Sequence, residues 1–174
     1  MDNIKAAINR ILESREQRAE RQRCLVELYK SSLISFTLNI PGFEKDHYIY
    51  RKVFEEGMNA LKELLANSEC TPLYIDANYK STGSEGFICV DMDPVKLKEL
   101  VIHLEDTHDL GRIFDIDVFD RLWTGISRKD LGYSERKCLL CDSTATVCRR
   151  EAKHSLEELL LAINSKAKVF FENG

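Results

Sequence analysis

The sequence predicts an α+β protein: a mixed sheet flanked by helices, with a cysteine-rich module toward the C-terminal end. Three observations predict it. Short stretches of period-two alternation are interspersed with apolar stripes at helical spacing, without the strict βαβ order of a parallel sheet. The 174 residues suffice for one domain with a substantial core, and 44% hydrophobic against 31% charged is a globular balance. Three cysteines and a histidine gather between 138 and 154, just before the last helical pattern. Residues 1–174 therefore read as a single domain, with 134–154 a candidate zinc knuckle inside it.

The same numbers exclude some functions. A net charge of −4 does not suggest wholesale nucleic-acid binding. No apolar run approaches the length of a membrane span, and Asp2 with an early charged helix is unlike a signal peptide. The expected location is the cytoplasm, where the six cysteines stay reduced.

Asp2 to about Tyr29 reads as one long helix, with Ile4, Ile8, Ile11, Leu12, Leu25, Val26 and Tyr29 as its stripe. At 100° per residue, Arg15, Arg18 and Gln22 fall on the side of Ile4, Ile8, Ile11 and Val26. Either the helix middle protrudes and its arginines pair with neighbouring glutamates, or the guanidiniums point inward at an anion such as phosphate. Ile34 to Ile40 alternates strictly, a half-buried strand closed by the Pro41-Gly42 turn. Tyr48 to Ala66 is a second helix, with Phe54, Met58, Leu61 and Leu65 inward. Leu73 to Ala77 and Phe87 to Met92 are short strands joined through Thr82-Gly83-Ser84-Glu85-Gly86. That turn can cradle a phosphate, but a plain loop is the better reading. Asp93-Pro94 starts a helix to about Asp106, with aspartate as N-cap and proline at the first helical position. It buries Leu97, Leu100, Val101 and Leu104, and brings Glu105 and His108 to the mouth of the next strand. His108 reads as a loop histidine.

That next strand, Gly111 to Phe119, is the centre of the functional reading. Alternation puts Asp115 and Asp117 on one face and Phe114, Ile116 and Val118 on the other. Same-face neighbours lie roughly 6.5–7 Å apart at the backbone, a separation at which two carboxylates can share one divalent cation. The alternative is a surface strand with two solvated aspartates, although aspartate is depleted in strands. Trp123 to Arg128 reads as a returning β segment. The last helix opens on the capping box Ser155-Leu156-Glu157-Glu158 and buries Leu159, Leu160, Ile163 and Ala167.

Cys138-x2-Cys141-x6-Cys148-x5-His154 matches Cys3His zinc spacing, and four protein ligands would make the site structural. The alternative is three small residues and a surface histidine. Cys24, Cys70 and Cys89 sit on apolar patterns and read as core. Arg121 to Lys153 holds eight Lys/Arg and four acids, a local +4 that suits an acidic or phosphorylated partner, or simply a solvated surface. Paired aspartates, inward arginines and a basic flank together describe metal-dependent phosphoryl or nucleotidyl transfer. The competing class is a zinc-stabilised, non-catalytic adaptor that docks an acidic partner.

Ser35 to Gly42, Gly111 to Val118, Ile126-Ser127-Arg128 and Arg136 to Cys141 resemble, in this order, the citrate lyase holo-acyl-carrier-protein synthase family. Its other name is apo-citrate lyase phosphoribosyl-dephospho-CoA transferase, and the resemblance runs from about Arg15 to His154. It implies a nucleotidyltransferase-type enzyme that takes a prosthetic group from 2′-(5″-triphosphoribosyl)-3′-dephospho-CoA to a serine of the acyl carrier (gamma) subunit of citrate lyase. A phosphodiester would form and diphosphate would leave. The resemblance further implies that Asp115 and Asp117 hold Mg²⁺ and are catalytic, with Arg112, Arg15, Arg18 or Arg128 offsetting triphosphate charge. Arg112 shares the parity of Phe114, so a regular strand aims it away from the acids unless the strand begins after it or Gly111 twists the entry. Polymerase-β-like nucleotidyltransferases place Gly-Ser closely before an acidic pair, whereas Gly83-Ser84 stands about thirty residues upstream of Asp115.

Overall fold

A computed structural model describes the backbone of residues 2–173 and the side chains of residues 5–172. In chain order the elements are α1 (Asp2–Tyr29), β1 (Ser32–Leu38), α2 (Tyr48–Asn67), β2 (Tyr74–Asn78) and β3 (Glu85–Val90). They continue with α3 (Pro94–Thr107), β4 (Phe114–Phe119), β5 (Gly125–Ile126), α4 (Ala145–Arg150) and α5 (Leu156–Asn173). The fold is α+β, built on one five-stranded sheet ordered β2-β3-β1-β4-β5.

Every strand pairing is antiparallel, where a mixed sheet was expected. The reason lies in the middle of the sheet. β3 and β4 run the same way and are joined by α3, but β1 is inserted between them against both. A parallel crossover is thereby split by an antiparallel strand.

The sheet faces two helical layers. Ile34, Phe36, Ile88, Val90, Phe114, Ile116 and Val118 belong to the main core, shared with α2, α3 and α5. Phe36 stacks on Phe54 at 5.1 Å and meets Phe114 edge-on at 5.4 Å. Each fully buried phenylalanine contributes about 1.5–3 kcal/mol over an exposed one. α2 comes this close because Gly57 lacks a side chain: a Cβ there would collide with the Phe36 ring and stand 3.1 Å from Phe114. On the other face Leu33, Phe87 and Cys89 pack beneath Leu25 and Val26 of α1.

Only the second half of α1 is seated. Ile8 and Leu12 are 43% and 49% exposed, so the predicted stripe does not extend to the first turns. The Ile4 side chain lies outside the described residues. The predicted caps form: Asp93 accepts from Lys96 N at 2.9 Å, and Ser155 and Glu158 exchange bonds at 3.2 and 2.7 Å. The return after β4 is shorter than the predicted Trp123–Arg128 segment. Trp123 turns left-handed (φ 61°) and Asp130 captures Ser127, which leaves only Gly125–Ile126 to pair. Of the three cysteines read as core, Cys89 is buried, Cys70 is half-buried and Cys24 is exposed. Cys24 sits on the outer side of α1, where it approaches Glu20. No described helix is long and apolar enough to cross a membrane.

Candidate active site

β4 is central in the sheet along only part of its length. Val118 and Phe119 pair with β5, but Phe114 and Ile116 meet no strand on that side. Backbone groups left so near the core need partners, and charged side chains supply them. Lys98 Nζ donates to Ile116 O at 2.8 Å, and Ile116 N donates to Glu105 Oε1 at 3.3 Å. Arg136 donates to the Phe114 carbonyl and, at 3.3 Å, to that of Gly111. Buried Glu105 then recruits Arg128 at 2.9 Å and Arg136 at 3.6 Å, while Arg128 also pairs with Asp106 at 2.8 Å.

This edge is one wall of a cleft of about 410 Å³ that holds Asp115, Asp117, Lys98, Arg128 and Arg136. Asp115 stands opposite Thr37 and Asp117 opposite Ser35 on β1, so both acids leave the α1 side of the sheet. Thr37 Oγ1 donates to Asp115 Oδ2 at 3.4 Å, and Arg136 Nη1 stands 3.5 Å from Asp115 Oδ1. Asp117 has no hydrogen bond or ion pair among the described residues. Its neighbour Ser35 is already engaged by Gln22 at 2.8 Å. Solvent reaches Asp117, yet protein crowds it, and its pKa is raised first by that desolvation and then by Asp115.

A second hollow, about 110 Å³, opens on the far side of Asp115, lined by Ser14, Arg15, Arg18, Lys45, Asn39 and Thr82-Gly83-Ser84. The 100° reading of α1 is met here. Arg18 reaches Glu85 at 3.4 Å, Ser14 Oγ donates to the same carboxylate, and Thr82 donates to Ser14 at 2.8 Å. Lys45 is held below its usual pKa by burial first, then by Arg15 and Arg18, with Asp115 alone pulling the other way. Three cations thus crowd one small space, Arg18 leaning on Glu85 and Lys45 offset by Asp115. Gly83-Ser84, remote from Asp115 in sequence, returns to the same hollow.

Arg112 is placed elsewhere. It precedes the first residue of β4 and lines a third cavity, next to the cysteine module. Burial lowers its pKa, and the nearby Arg136 and Arg128 lower it further. His108 caps α3, accepts from Leu110 N at 3.0 Å and lies 3.4 Å from Glu56, a structural role.

The ligating atoms of Cys138, Cys141, Cys148 and His154 all lie within 4.8 Å of one another. Tetrahedral Zn–S bonds of 2.3 Å would set the three sulfurs about 3.8 Å apart, so small shifts close the site. The donors are held as a metal site requires. Leu140 N donates to Cys138 Sγ at 3.4 Å across the turn of the knuckle, and Thr144 caps α4, which carries Cys148. His154 Nε2 is buried without a hydrogen-bond partner. The Cys148 thiol is pushed up to about 12 by burial and then by Cys138 and Cys141. An orphaned imidazole nitrogen among crowded thiols fits a metal ion, and this set can hold one.

Much of the basic flank is neutralised internally. Arg121 pairs with Asp91, Arg128 and Arg136 with the α3 acids, Lys137 with Asp142, and Lys153 with Glu151. Lys129, Arg149 and Arg150 form no ion pair among the described residues.

Lys45, Lys98, Glu105 and Arg136 joined the site without having been assigned to it from sequence. Lys98, Ile102 and Glu105 follow an i, i+4, i+7 spacing, a face that α3 buries with one charge of each sign, and that was a readable signal. Lys45 lies in an irregular loop and offered none.

A family model for apo-citrate lyase phosphoribosyl-dephospho-CoA transferase matches residues 6–170. Proteins of that name from Escherichia coli O6:K15:H31 (strain 536 / UPEC) and Shigella boydii serotype 18 (strain CDC 3083-94 / BS512) are similar to the chain. Each is 36% identical over 154 residues, which is 88% of this chain and 84% of the relative.

Proposed function

The chain belongs to the apo-citrate lyase phosphoribosyl-dephospho-CoA transferase family, and on that premise we propose that it carries out the transfer the family name states. The donor is triphosphoribosyl-dephospho-CoA and the acceptor a serine of the citrate lyase acyl carrier subunit. The serine oxygen attacks the phosphorus nearest the ribosyl group and a P–O bond forms. The bond to the next phosphate breaks, diphosphate leaves with the electron pair, and the serine proton passes to solvent.

One observation carries this reading: Asp115 belongs to both the cationic hollow and the cleft, with unpartnered Asp117 beside it on the same face. Two oxygen-donor carboxylates suit Mg²⁺, which when bound would neutralise polyphosphate charge. Arg15, Arg18 and Lys45 then receive the phosphates outside that coordination, relieving their own repulsion. Arg128 and Arg136 line the cleft beside the acids, and Lys129 and Arg150 are free to meet an acidic carrier. In the cysteine module zinc suits the three thiolates and one imidazole, and with all four positions filled it is structural. A non-catalytic adaptor would leave the cations gathered around Asp115 without a purpose.

The test is to incubate the purified chain with triphosphoribosyl-dephospho-CoA, Mg²⁺ and apo carrier protein, and to weigh the carrier. A mass gain of one phosphoribosyl-dephospho-CoA group with release of diphosphate supports transfer. A carrier that binds but keeps its mass supports the adaptor.

A further inference from the structure

The cavity beside the cysteine module measures about 360 Å³. A bound metal ion needs only a space comparable to one water, about 30 Å³, while pockets for small organic ligands begin near 300 Å³. Its walls combine Leu139, Leu159 and Ile163 with two guanidiniums, Arg112 and Arg149. Arg112 is half-buried, and neither arginine has a carboxylate partner among the described residues. An apolar slot with two unpaired cations suits a molecule with both a phosphate group and a long neutral segment.

The cavity also borders the site already described. Asn39 lines both it and the cationic hollow, and Asp115 lines both the hollow and the cleft. The three spaces therefore follow one another in order. Arg112 is three residues from Asp115, so their backbones are at most about 11 Å apart. A nucleoside with one further ribose can bridge that span.

Resting on the transferase reading, we infer that this third cavity receives the dephospho-CoA half of the donor. Its diphosphate pairs with Arg112 and Arg149, and its neutral arm lies along Leu139, Leu159 and Ile163. The triphosphate at the other end of the molecule reaches the Asp115 hollow. The donor carries two separate anionic groups, and the protein offers two separate groups of cations. This assignment gives Arg112 a phosphate to bind, though not the reacting one. It also makes the metal-binding module one wall of a substrate subsite.

Dephospho-CoA lacks the triphosphate and so probes this subsite alone, by calorimetric titration of the intact protein. Arg112→Gln and Arg149→Gln should each weaken its binding about tenfold, the usual worth of one charge-assisted phosphate contact. Asp115→Asn should leave that affinity within about twofold. Arg149 is exposed, so its variant keeps the test valid even if Arg112→Gln perturbs folding. Wild-type affinity in the double variant, an equal loss in Asp115→Asn, or no binding by the wild type would each overturn the inference. Dephospho-CoA bound through both arginines by a protein that never alters the carrier mass would instead sink the transfer reading and leave the subsite standing.

Discussion

Arg136 Nη1 stands 3.5 Å from Asp115 Oδ1, while the same guanidinium reaches the carbonyls of Phe114 and Gly111. Cys138 follows two residues later, so one side chain ties the metal-binding module to the strand that bears the acids. Arg136→Gln leaves the Phe114 carbonyl without a charged donor and buried Glu105 with Arg128 as its remaining cation. Removing a hydrogen bond to a charged group costs about 1.5–3 kcal/mol. Urea unfolding should show a loss of that size together with lower transfer activity. An unchanged midpoint would show that the contact is idle.

Asp117 should trade stability for function. Its pKa in the folded chain is raised, so the folded state holds the proton more tightly than the unfolded one. The stability this contributes is complete below the ordinary carboxylate pKa and is lost as pH rises through the folded value. At neutral pH the ionised group therefore costs stability. Asp117→Asn should raise Tm at pH 7 in the absence of divalent cations and abolish the further rise caused by Mg²⁺. A variant less stable than the wild type at pH 7 would contradict the repulsion argument.

The cysteine module should bind one zinc per chain. Native mass spectrometry and elemental analysis read the stoichiometry. Chelation, or Cys138→Ser, should lower Tm and free the remaining thiols to react with a disulfide reagent. A chain that emerges metal-free with the same Tm would rule out a structural metal there.

Gly111 is required by packing, since a Cβ there would meet the Glu105 backbone, its carbonyl carbon at 2.8 Å. Gly111→Ala must push the end of α3 from β4 and loosen Glu105 from Ile116 N. Overpacking of this kind costs about 1–3 kcal/mol. Thermal melts should show the loss, and activity should fall with it. A neutral effect would mean that the α3–β4 turn yields easily.

What could be read in the sequence was what local periodicity encodes. Period-two alternation put Asp115 and Asp117 on one face, and the 100° helical step turned Arg18 and Gln22 inward to Glu85 and Ser35. The helix caps and the Cys3His spacing were legible because each is completed within a few residues. Long-range assembly was not. Nothing local indicates that β1 inserts between β3 and β4, and that insertion brings Thr82-Gly83-Ser84 to within reach of Asp115. Lys45 lies in the loop after Gly42, where no period tells which way a side chain turns. Arg112 shows the limit from the other side. Parity could not place it, because the strand begins after it at Phe114, and only the packed module reveals the cavity it lines.

The most direct test sets Asp115→Asn and Asp117→Asn against the wild type in the carrier mass-shift assay, with folding checked by circular dichroism. Loss of a shared metal site should cut the transfer rate about a hundredfold or more while both variants remain folded. Folded variants that load the carrier at the wild-type rate would contradict the account.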